Sequence, residues 1–167
     1  MKPTFLKLTI ATALTTLMMA GAIQTVSAQV LPVEPLGFSI VGTWDLQVAF
    51  VHCTTGVPLF PPGQSLVSYV QGGTYIEEAS GTPPSRRYPG LGVWTHVRER
   101  NYALAFKVFQ YNADGTSNGK IVVLADTRHN LDDTLTSVAS ARIYNAAGNL
   151  IATSCVNSFG TRFTGEQ

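Results

Sequence analysis

The chain has 167 residues, enough for one domain with one hydrophobic core. Hydrophobic residues make up 45% of it and charged residues only 13%, which excludes a disordered or highly charged polypeptide. The formal net charge is +1, and removing Met1 to Ala28 takes away Lys2 and Lys7 and no acid, leaving about −1. Neither value favours a nucleic-acid partner or an anionic membrane surface.

Met1 to Ala28 reads as a secretory signal peptide. Lys2 and Lys7 supply the positive start, residues 8–20 form an uncharged run of apolar and small residues, and Val26-Ser27-Ala28 offers a small-x-small cleavage pattern before Gln29. The apolar run is short for a span of ~20 residues and is interrupted by threonines, so no membrane span is expected once it is removed. The expected location is periplasmic or secreted. Residues 29–40 carry prolines and read as an extended lead-in.

From Val41 to Thr164 the pattern is that of β-structure. The first strand runs over residues 41–53, where Trp44, Leu46, Val48, Phe50 and His52 share one parity and form the heavier apolar face. A Pro- and Gly-bearing loop over 54–63 follows. The second and third strands, residues 64–70 and 74–79, are separated by Gly72-Gly73, a hairpin signal. Residues 80–89 form a second loop without periodicity. The remaining strands are expected over 91–98, 102–111, 119–129, 134–144 and 150–163, joined by short polar turns such as Asp114-Gly115. No segment has a helical period.

Eight sequential antiparallel strands either close into a barrel or leave two open edges. Cys53 and Cys155 are the only cysteines, and in an exported chain such a pair reads as one disulfide. It requires Cα atoms within about 7 Å, so it places the first strand beside the last. The expected fold is therefore all-β: an eight-stranded antiparallel up-and-down barrel. A sandwich with the same two strands adjacent is the competing architecture.

Gly42-Thr43-Trp44 at the head of the first strand resembles the calycin superfamily, which includes lipocalins, fatty-acid-binding proteins and avidins. The resemblance implies that Trp44 plugs one end of the barrel beneath a basic residue from near the last strand, here Arg162. Gly90-Leu91-Gly92-Val93-Trp94, Asp114-Gly115 and Gly160-Thr161-Arg162 are similar to patterns in small exported lipocalin-like bacterial proteins. Such a lipocalin-like barrel would bind a small hydrophobic or aromatic molecule inside. The alternatives are a cyclase- or isomerase-type enzyme on the same scaffold, in the manner of allene oxide cyclases, or a filled structural module.

Four residues are candidates to line a ligand site: His52, Trp94, His96 and Phe106. The two histidines share parity with Trp44 and Trp94, and are expected near the end opposite those tryptophans if the tryptophans point inward. Rim histidines making ordinary hydrogen bonds are the simpler reading, and Leu91, Val93 and Val97 form an alternative inward set on the fourth strand. Glu77 and Glu78, as strand neighbours, point to opposite faces, so one is expected inside. Arg86-Arg87 reads as part of a solvated loop, with contact to an anionic ligand at the barrel mouth as the alternative. No cysteine or histidine spacing suits a metal, and no nucleophile elbow, phosphate loop or dinucleotide fingerprint is present, so no cofactor is expected.

Overall fold

Alternation of apolar and polar side chains runs through eight strands: β1 (Gly42–Val51), β2 (Gly63–Val70), β3 (Thr74–Ala79), β4 (Gly90–Arg98), β5 (Asn101–Tyr111), β6 (Ser117–His129), β7 (Thr134–Tyr144) and β8 (Leu150–Arg162). The structure is a computed structural model and describes residues 39–165, so the expected signal peptide and most of the lead-in lie outside the described residues. Each strand pairs antiparallel with the next, and β1 pairs with β8, which closes the sheet into an up-and-down barrel. The sandwich alternative is thereby removed. Among the described residues the only helical turn is a three-residue 3-10 segment, Pro84–Arg86, inside the β3–β4 loop. None of them forms a helix long and apolar enough to cross a membrane.

The β1–β8 seam runs in register from Trp44 opposite Arg162 to Val51 opposite Cys155. Cys53 lies in the turn just beyond β1, not on the strand itself, and is bonded to Cys155 with a Cα–Cα distance of 5.1 Å. One end of the barrel carries the β2–β3, β4–β5 and β6–β7 turns. The other carries the disulfide and the β1–β2, β3–β4, β5–β6 and β7–β8 connections.

The first of these ends is sealed. Trp44 is completely buried, with Tyr69, Tyr102, Leu135, Thr127 and His129 also almost inaccessible. The Trp44 indole N–H donates to the Ile40 carbonyl at 2.9 Å, which draws the segment before β1 across the end. The Arg162 guanidinium lies 4.2 Å over the Trp44 ring, a cation–π geometry. Every nitrogen of that guanidinium is engaged: Nη1 donates to the Val41 carbonyl, Nη2 to the Ser39 carbonyl and to Asp133 Oδ1, and Nε to Asp133 Oδ2. Gly42 is required beside it. Its φ is +140°, and a Cβ there would sit 2.5 Å from Arg162 Nη1.

Asp133 also lies 2.8 Å from Nε2 of the buried His129, whose ring meets Trp44 edge-on. The bonds from Arg162 hold its carboxyl down at about 2; His129 adds to the effect and partial burial opposes it. A depressed carboxylate stabilises the fold above its unfolded value of about 4, and that contribution is lost as pH falls toward 2. Denaturant unfolding between those pH values should therefore show stability falling with acidification, and Asp133→Asn should flatten the dependence.

The disulfide closes a loop of sequence separation 102. Replacing both cysteines with serine is expected to lower the unfolding free energy by up to about 4–5 kcal/mol, the chain-entropy value for a loop of that size. Urea denaturation of the double variant measures it.

Candidate functional site in the barrel interior

Strand parity and register decide what faces inward. The inner wall contains Trp44, Leu46, Val48 and Phe50 from β1, and their register partners carry the same face around the barrel. At the disulfide end the inward side chains are not sealed. Phe50 points inward yet is 38% exposed, and the inward Ile121, Ile143 and Ser154 are only half-buried. Inward-facing side chains are thus fully buried around Trp44 and partly exposed at the disulfide end.

β3 places Tyr75 and Glu77 inside and Ile76 and Glu78 outside. Tyr75 belongs to an aromatic layer near the sealed end. Its ring lies 5.0 Å from Tyr69 and 5.1 Å from Phe106, while Trp94 meets Tyr69 and Tyr102 edge-on. Glu77 stands two residues further toward the open end and is buried. Gly90, its β4 partner, makes the space: a Cβ there would fall 2.6 Å from Glu77 Oε2 and 2.9 Å from the Phe106 ring.

Glu77 has a basic partner from the loop. After the 3-10 turn, Arg87 is extended (φ −153°, ψ 134°) and forms a bridge with Gln110 at the end of β5, while the Tyr88 N–H donates to the Phe109 carbonyl. This strand-like hold on β5 turns the Arg87 side chain into the barrel from its open end. Arg87 Nη2 donates to Glu77 Oε2, and the two side chains are only 10% and 8% exposed. The Ser65 hydroxyl from β2 lies 3.1 Å from both Glu77 Oε1 and the Glu78 carbonyl. Arg87 Nη1 is buried and has no hydrogen-bond partner among the described residues.

Burial, reinforced by the like charges of Tyr69 and Glu77 and opposed by Arg87, pushes the Tyr75 hydroxyl well above the ordinary tyrosine range. Burial likewise raises Tyr69 to about 12, against a weaker lowering by its bond to Thr127. Both phenols stay protonated at neutral pH. The interior therefore offers uncharged hydroxyls, aromatic faces and one neutralised ion pair with a spare donor. Among the described residues no cluster of His, Cys, Asp or Glu could hold a metal ion.

The four candidate lining residues are not brought together. Phe106 lies inside, packed beside Tyr75. Trp94 is half-buried on the inward face of β4, with its indole N–H donating to the Val70 carbonyl, and Leu91, Val93 and Val97 point outward. His52 has left β1 and is exposed at the open end. His96 is at the sealed end, with Nε2 2.7 Å from the Glu99 carbonyl and its ring against Tyr102. The expectation that both histidines lie at one end is corrected, because β1 and β4 run in opposite directions.

Sequence reading missed Arg87 as an interior group. One signal was present: an inward acid on an apolar strand face demands a buried base. Surface grooves lie elsewhere. One of about 550 Å³ crosses the outer wall between Val93, Ala105, Leu124 and Val138, and its only titratable lining residue is Asp126. Another, of about 510 Å³, runs along the 80–84 segment over Asp45 and Glu78.

No protein-family model matches the chain, and no curated protein sequence matches it. Architecture alone defines its class: a closed eight-stranded antiparallel barrel, consistent with a calycin-like fold.

Removing one member of a buried ion pair strands the other charge, at a cost of about 3–5 kcal/mol, whereas an apolar pair of similar volume is often neutral. Arg87→Met should therefore destabilise the barrel strongly, and Glu77→Leu combined with Arg87→Met should restore most of the loss. Urea titration of both variants checks this.

Proposed function

We propose that the protein is a lipocalin-like carrier that takes one small, largely apolar or aromatic molecule into its barrel through the disulfide end. The observation that carries this reading is the contrast between the two ends: Trp44 is fully buried, whereas inward-facing Phe50 remains 38% exposed. A barrel of eight strands has room for side-chain filling or for one small guest, and the accessible half here is walled by Val48, Phe50, Ile121, Ile143, Ser154 and Val156. The signal-peptide-like start and the Cys53–Cys155 bond support work in the periplasm or outside the cell.

Titration with a hydrophobic fluorescent probe, together with native mass spectrometry of the exported protein, tests the reading. Saturable binding at one site, weakened by Ser154→Phe in the accessible half, is the expected result. If no ligand is retained and no probe binds, the carrier function falls.

A further inference from the structure

The Glu77–Arg87 pair is out of balance in a way that says what the guest carries. Glu77 is served on both oxygens, by Arg87 Nη2 on Oε2 and by the Ser65 hydroxyl on Oε1. Arg87 has used Nη2 on the carboxylate, while Nη1 is buried without a partner among the described residues. A guanidinium presents five N–H donors in a rigid fork, and a buried donor left unmatched is costly. The contrast with Arg162 is direct: at the sealed end every guanidinium nitrogen finds a carbonyl or carboxylate. The missing group at Arg87 is therefore an acceptor.

Charge narrows the acceptor further. Arg87 and Glu77 already neutralise each other, and both are nine-tenths buried. An anionic guest would add an uncompensated negative charge to this interior, beside a carboxylate and an aromatic layer, where desolvation is expensive. A carbonyl oxygen meets the donor without that penalty. The walls around the pair are the rings of Phe106 and Tyr75 and the bare backbone of Gly90. They suit an aromatic body attached to that oxygen.

We propose that the interior site selects an uncharged aromatic carbonyl compound, its oxygen accepting from Arg87 Nη1 and its ring system lying against Phe106 and Tyr75. The inference rests on the carrier reading above and deepens it. Arg87 is the specificity-determining residue; Glu77 and Ser65 position it.

The test compares three probes of similar shape by competition calorimetry on the mature protein with its disulfide intact: benzophenone, diphenylmethane and diphenylacetate. The ketone should bind about tenfold or more tightly than the hydrocarbon, as expected for a buried hydrogen bond from a charged donor, and more tightly than the acid. The Glu77→Leu, Arg87→Met double variant removes the donor without stranding a charge. It should keep diphenylmethane affinity and lose the ketone preference. Equal binding of ketone and hydrocarbon to the unmodified protein overturns the proposal while leaving the carrier reading intact. Tightest binding of diphenylacetate also overturns it and makes Arg87 an anion site. A ketone preference that survives in the double variant removes Arg87 from the explanation; failure of all three compounds while the hydrophobic fluorescent probe still binds overturns this inference alone, and failure of that probe as well, with no ligand retained, defeats the carrier reading with it.

Discussion

The pairing of β1 with β8 is the constraint on which the molecule depends. An antiparallel meander has two open edges, and each would expose a row of unpaired backbone donors and acceptors. Here one edge satisfies the other in register from Trp44–Arg162 to Val51–Cys155. The seam is held at both extremities by different chemistry. At one end Arg162 stacks on Trp44 and is anchored to Asp133 and two carbonyls; at the other a covalent bond ties Cys53 to Cys155. Opening the seam would break both and expose the interior to water along its whole length.

Closure also creates the asymmetry from which the functional proposal comes. The Trp44 end spends large side chains on the plug: Trp44, Tyr69, Tyr102, Leu135 and His129 fill it. The other end is walled by Val48, Phe50, Ile121, Ile143, Ser154 and Val156, and there the inward Phe50 stays 38% exposed. Between the two sits a buried ion pair, which contributes little net stability in a barrel that already has an apolar core. A pair of this kind, half satisfied on the basic side and fully satisfied on the acidic side, is better accounted for by what it orients than by what it stabilises. The loop that delivers Arg87 is tied to β5 by a bridge and a backbone hydrogen bond, so the guanidinium is carried on a strand-like support.

Much of this was legible in the residues. The strand boundaries were readable to within two residues, because Gly72-Gly73, Asp114-Gly115 and the Asn-rich turns interrupt clear two-residue alternation. The closure was readable from two cysteines on the first and last β segments, and strand alternation required one of Glu77 and Glu78 to face inward without saying which; the structure turns Glu77 in. Arg87 was not legible. It lies in a Pro-rich stretch without periodicity, next to Arg86, and one of these neighbours is exposed while the other is buried. Only the bridge to Gln110, far along the chain, separates their fates. His96 was misplaced for a related reason: parity tells which face a side chain takes, and strand direction tells which end, and the two were read together only for β1.

By itself the sequence determined the class of secondary structure, the order of the strands and the pair of cysteines that joins the first to the last. These follow from local rules: alternation, turn chemistry and the short reach of a disulfide. Which charges are buried, which end is sealed and which donor is left over were decided by the tertiary structure, because each depends on residues brought together across the barrel from distant segments. Glu77, Ser65, Arg87 and Gly90 come from three strands and a loop, and only closure of the sheet gives them a common interior.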